Sequence, residues 1–145
     1  MAYYTTLLIH EVLNEFQKQK TQQEKINILR KHRSPALLDL LRCSFDERII
    51  FQLPDGTPPY VPAQEGSVPN NLLRQNMKLT YWVKGGKGDV GKVNKIKRER
   101  IFLDVLESIH PEDAKVLILA KDKKPLCKGL TAKLVKEAFP GLLPD

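Results

Sequence analysis

Residues 86–93 read GKGDVGKV and fit the glycine and lysine spacing of a phosphate-binding loop, with Gly86, Gly91 and Lys92 in place. In such a loop backbone N–H groups cradle the phosphates, the lysine reaches their oxygens, and a following Ser or Thr ligates magnesium. That last position is Val93, which has no atom to offer a metal. The next apolar run ending in an acid is IFLD, and its Asp104 comes only 12 residues after Lys92, on the same expected helix. The alternation of strands and helices that builds a parallel sheet is missing around it. Nucleotide hydrolysis is therefore not expected. The chemistry left to the stretch is electrostatic. From Lys84 to Arg100 the chain carries Lys84, Lys87, Lys92, Lys95, Lys97, Arg98 and Arg100 against Asp89 and Glu99. Glycine backbone can approach a phosphate closely, and a helix start offers free N–H groups. Lys and Arg neutralise phosphates without base-specific geometry. The competing reading is a solvated charged face.

Other reactive residues form thinner patterns. His110, Glu112 and Asp113 stand together in HPEDA, where a His beside two acids could transfer a proton. The same residues suit the first turn of a helix, with Pro111 at its first position and acids near the positive end of the dipole, and that reading is preferred. Cys43 and Cys127 are far apart and lack metal spacing, so both are expected as reduced thiols. Three scattered histidines make no ligand cluster. No catalytic residue, metal or cofactor is assigned, and the protein is not expected to be an enzyme.

The elements that must position the basic residues are helical. Leu7, Leu8, Val12, Leu13 and Phe16 recur at helical spacing within residues 3–17. Thr21 and Glu24 have the spacing of a capping box ahead of Ile26, Ile28 and Leu29, in a helix ending near His32. Ser34 and Pro35 start a third helix with Ala36, Leu37, Leu38, Leu40 and Leu41 inward. Ile49–Phe51 favour extended structure. Residues 54–62, PDGTPPYVP, form a stiff turn-rich loop. It either packs across the helices through Tyr60 or offers Pro58, Pro59 and Tyr60 to a partner; packing is preferred. Residues 70–83 return to helical spacing with Leu72, Leu73, Met77 and Trp82, although LTYWV also carries strand formers. A long helix from Lys92 to Ile109 should bury Val93, Ile96, Ile101, Phe102, Val105, Leu106 and Ile109. HPEDA opens a helix running to about Ala120, KDKKPLCKG is a basic loop, and Thr131 caps a last helix with Leu134, Val135, Ala138 and Phe139 inward. The expected fold is mainly α: a compact bundle of about six or seven helices with a Pro-rich loop and at most a short β segment. It is read as a single domain, 1–145, with a helical N-terminal part (1–53) and a basic helical C-terminal part (70–145).

Of 145 residues, 41% are hydrophobic and 28% charged, which suits a packed core. No apolar run is long enough to span a membrane, and the first residues lack the pattern of a secretory leader, so a cytoplasmic protein is expected. The net charge of +7 is uneven: residues 1–77 contribute +1 and residues 78–145 contribute +6. That asymmetry points to a polyanion or an acidic protein surface as partner.

Three blocks, SPALLDLLRCSFDERIIFQLPDGTPPY, KRERIFLDVLESIHPEDAKVLILAKDKK and KGLTAKLVKEAFP, resemble a group of small uncharacterised proteins of T-even-type tailed phages, including those of cyanobacteria. The likeness runs from about Ser34 to Phe139. It implies a phage product acting in the infected bacterial cytoplasm or carried in the virion, in a class whose members modulate host transcription or assist replication. It carries over no catalytic residue. The leading expectation is a non-enzymatic accessory protein that binds nucleic acid or nucleoprotein machinery. Its contacts would be Lys84, Lys87, Lys92, Lys95, Lys97 and Arg98, with Lys121, Lys123, Lys124 and Lys128 of the second basic loop. The alternatives are an adaptor that docks on host machinery such as RNA polymerase through Pro58, Pro59 and Tyr60, and a minor virion component.

Overall fold

The computed structural model describes residues 7–64, 68, 71–84 and 94–144. Among them are seven α-helices: α1 (Ile9–Lys18), α2 (Gln22–Lys31), α3 (Pro35–Phe45), α4 (Leu72–Gln75), α5 (Lys95–Ser108), α6 (Pro111–Lys121) and α7 (Ala132–Ala138). A 3₁₀ turn, Asn76–Tyr81, continues α4. The fold is mainly α and has no strand longer than an isolated bridge among the described residues.

Local chemistry sets most of the helix starts. Thr21 Oγ1 accepts the Glu24 N–H at 3.1 Å while the Glu24 carboxylate accepts the Thr21 N–H at 3.2 Å, the reciprocal pair that satisfies two free donors. Ser34 caps α3 through the Leu37 N–H (3.1 Å), with Pro35 behind it. Asn94 caps α5 through the Lys97 N–H (2.8 Å), and Thr131 caps α7 through the Leu134 N–H (3.2 Å).

The central element is α6. It buries Asp113, Ala114, Val116, Leu117, Ile118, Ala120 and Lys121, so it is enclosed on most of its circumference. Helices α1, α3 and α5 pack against it. Helix α2 lies on α1 and on α7, where the Arg30 guanidinium donates to the Ala138 and Glu137 carbonyls at 2.9 and 3.0 Å, covering the carbonyl end of α7. One continuous apolar cluster runs from Ile9 to Leu143 through these contacts. Both thiols are free; burial pushes each up to about 11, so neither is a ready nucleophile.

Three elements depart from the sequence expectation. Residues 70–83 do not form one helix: α4 lasts one turn, tightens into the 3₁₀ turn, and then gives way to an antiparallel bridge between Val83 and Phe51. The Gln52 N–H donates to the Trp82 carbonyl (2.6 Å) and the Lys84 N–H to the Ile50 carbonyl (2.7 Å). The strand-forming residues and the complete burial of Trp82, edge-on to Phe102 at 5.0 Å, outweigh helical spacing here. Helix α5 starts at Lys95 and not at the expected Lys92, because Asn94 is extended and caps it; Lys92 and Val93 themselves lie outside the described residues. Ile96, expected inward, is 81% exposed, because the buried side chains of α5 are confined to its second half at Phe102, Val105 and Leu106.

The Pro-rich loop is tied to the helices. The Lys121 ammonium donates to the Pro54 and Gly56 carbonyls at 2.8 and 3.0 Å and to the Asp122 carboxylate. The Gly56 N–H donates back to Asp122 (3.2 Å) and the Val61 N–H to Glu107 (2.8 Å). Tyr60 is partly buried against the core, and that burial raises its hydroxyl above the usual tyrosine range.

Candidate nucleic-acid interface

The first turns of α5 carry Lys95, Ile96 and Lys97 in the open, with Arg100 one turn further and also exposed. Arg98 is half-buried. The Asn94 cap takes one N–H of the helix start and fixes where these side chains emerge. Lys84, at the other side of the glycine-rich stretch, is exposed, and its backbone is held in the bridge to Ile50. Lys87 and Lys92 lie outside the described residues, and so does the whole GKGDVGKV stretch.

The second basic loop divides. Lys124 and Lys128 are exposed. Lys121 is not available as a surface contact: its side chain is 2% exposed, and its ammonium is engaged by two carbonyls and a carboxylate. Lys123 is an exposed residue, but its ammonium is engaged. Its ammonium donates to the Cys43 carbonyl and to the Asp46 carbonyl (3.1 Å) and lies 5.7 Å from the Phe51 ring centre, and burial lowers its proton affinity. Both were expected at the interface and instead anchor the 46–56 segment to the end of α6. Their sequence setting, a run of lysines after a helix, resembles a solvated loop. The clue was position: Lys121 continues the inward stripe Ala114, Leu117, Ile118 at helical spacing.

Two lysines outside the expected set stand near Lys128. Lys25 and Lys133 line a shallow recess of about 200 Å³ with Gly129 and Thr131. Gly129 has φ of +85°, a backbone conformation that favours glycine. Lys25 comes from α2, more than a hundred residues earlier, and only the fold brings it here.

HPEDA does not assemble a proton-transfer triad. His110 caps α6, its Nδ1 accepting the Glu112 N–H at 3.1 Å. Glu112 turns outward to Lys115 (2.9 Å), whose ammonium holds its carboxyl below the usual range. Asp113 turns inward and is 1% exposed. Its Oδ1 accepts both the His10 backbone N–H and the His10 ring Nδ1, each at 2.8 Å, while the His10 and His110 rings stack at 4.3 Å. Asp113 thus satisfies a free N–H in the first turn of α1 from another helix. No group of three or more His, Cys, Asp and Glu placed to hold a metal occurs among the described residues. No helix among them is long and apolar enough to cross a membrane.

The arrangement therefore offers an exposed basic helix start at Lys95, Lys97 and Arg100 and a recess lined by Lys25 and Lys133. Comparison with solved structures and with curated proteins finds no match. One family model does match, over residues 12–126, from the first helix through the Pro-rich loop and α5 to the loop after α6. With most of its length matched in this way, the chain belongs to DUF6433, a family of unknown function.

Proposed function

We propose that this protein is a non-enzymatic phage accessory protein that binds nucleic acid or nucleoprotein machinery in the infected bacterial cytoplasm, using the exposed start of α5. One observation supports the reading above the others. Lys95, Lys97 and Arg100 stand exposed around a helix start, whereas Lys121 is buried and the Lys123 ammonium is held by two backbone carbonyls. These three cations stand at a helix start, a position that favours phosphate.

The test is fluorescence anisotropy with single- and double-stranded oligonucleotides across a salt series. The combined variant Lys95→Gln, Lys97→Gln, Arg100→Gln should reduce the slope of log affinity against log salt by about 2–3, at 0.7–0.9 for each lost phosphate contact. Absence of salt-dependent binding by the wild type at low ionic strength refutes the proposal. A second reading, docking on a protein such as host RNA polymerase, is favoured by Ile96: a large apolar side chain standing open between two lysines suits a protein surface. Binding of that kind is much less sensitive to salt. A minor virion component is the third reading.

A further inference from the structure

A cleft of about 420 Å³ opens between the Pro-rich loop and α5. Its walls are apolar: Leu53, Pro54, Pro58 and Pro59 on one side, Phe102 and Leu103 on the other. Three charged residues line it, Asp55, Glu99 and Lys121. The lysine brings no free charge, because its ammonium is neutralised by Asp122 and consumed by the Pro54 and Gly56 carbonyls. The charges left open to an occupant are the two carboxylates. A protein of net charge +7 therefore carries a cleft whose available charge is negative. The cleft is also pre-formed: prolines stiffen its loop, and Lys121, Asp122 and Glu107 tie that loop to α5 and α6.

We propose that this cleft binds a basic segment of a partner protein, taking the side chain of an arginine or lysine with its aliphatic stem against Phe102, Leu103 and the prolines and its cationic head at Asp55 and Glu99. Long cationic side chains pack their stems on apolar surface and direct the head to a polar rim. The volume holds such a side chain and one apolar neighbour, within the usual range for a ligand pocket. The chain's own net charge repels a cation, so attraction has to come from this site and not from the general field. The proposal does not depend on nucleic-acid binding, which uses other residues.

The probe is the tripeptide acetyl-Leu-Arg-Leu-amide, titrated into the isotopically labelled protein and followed by amide chemical shifts. The control peptide replaces arginine with citrulline, its uncharged isostere. The expected result is a saturable change confined to residues 53–59 and 99–103, weakened at least about tenfold by citrulline and by the double variant Asp55→Asn, Glu99→Gln, a difference of about 1.4 kcal/mol. Circular dichroism of the variant establishes that it is folded, since neither residue is buried. Equal binding of the citrulline peptide, shifts centred elsewhere, or no shift at millimolar peptide overturns the proposal.

Discussion

Lys121→Met should destabilise the protein without changing its affinity for oligonucleotides. Methionine keeps most of the volume and the apolar stem, so the packing of that stem survives and only the ammonium is lost. Three acceptors then lose their donor: the Pro54 and Gly56 carbonyls and the Asp122 carboxylate. The two carbonyls belong to exposed loop residues and can turn to water. Asp122 is the costly one. Its side chain is 7% exposed, and without Lys121 it keeps the Gly56 N–H at 3.2 Å as its donor. Removing one partner of a buried ion pair costs about 3–5 kcal/mol. Partial relaxation of the loop lowers this to about 2–4 kcal/mol, because each charge-assisted hydrogen bond contributes only about 1.5–3 kcal/mol net. For a chain of this size that corresponds to a fall in Tm of roughly 5–15 °C. Urea unfolding followed by circular dichroism reads the loss as a lower midpoint with the slope unchanged. Adding Asp122→Asn to the variant removes the stranded charge and should restore part of the stability. A change below about 0.5 kcal/mol, the size of an ordinary surface substitution, would refute the reasoning. So would wild-type stability combined with weakened oligonucleotide binding, which would return Lys121 to the surface set.

Tyr60→Ala should destabilise the fold by about 1–3 kcal/mol, the lower part of the range for large-to-small changes because Tyr60 is only partly buried; thermal melting that matches wild type, together with loss of a partner, would favour the docking reading of the loop. Because burial raises the Tyr60 hydroxyl in the folded state, the unfolded chain ionises first, and its share of the stability should decline as pH rises above about 10, checked by alkaline titration of tyrosine absorbance. Asp46 behaves oppositely: hydrogen bonds from the Arg48 side chain (3.1 Å) and backbone (2.9 Å) hold its carboxyl below the usual aspartate value. Its stabilisation is complete above that value and is lost as pH falls through the lower folded one, so Asp46→Asn should flatten the acid limb of a stability–pH curve, and an unchanged limb would contradict the assignment. Calorimetric titration with magnesium–ATP or magnesium–GTP at millimolar concentration should show no saturable heat, since Val93 offers no metal ligand; binding abolished by Lys92→Ala would reverse that expectation.

The helices were legible where their signals are local. Capping residues at Thr21, Ser34 and Thr131 lie within four residues of their partners, and the apolar stripes of α1, α3 and α7 repeat over a few turns. The 3₁₀ turn and the Phe51–Val83 bridge were not, because the pairing joins segments about thirty residues apart and reads locally as helical spacing. Ile96 misled for a related reason: periodicity shows which face of a helix is apolar, not how far along it the protein body reaches. The site residues that escaped the sequence all make contacts at long range. Asp113 and His10 are 103 positions apart, and Lys121 reaches Pro54 across 67.

A common principle would nevertheless have found both Asp113 and Lys121. They are charged residues on a helix that is otherwise apolar on most sides, one in its first turn and one in its last. Each sign complements the helix dipole at its own end, which favours the charge but does not by itself account for burial. A charge buried at such a position has to be met by partners from elsewhere in the fold. The backbone of α1 and the ring of His10 meet Asp113, and the carbonyls of the Pro-rich loop with Asp122 meet Lys121. The two charged ends of α6 therefore act as tethers, one fixing the start of α1 and the other fixing the loop that forms one wall of the cleft. A lysine counted toward a basic surface should first be tested against the stripe of the helix that carries it. Lys121 fails that test, whereas Lys95, Lys97, Arg100, Lys124 and Lys128 stand exposed.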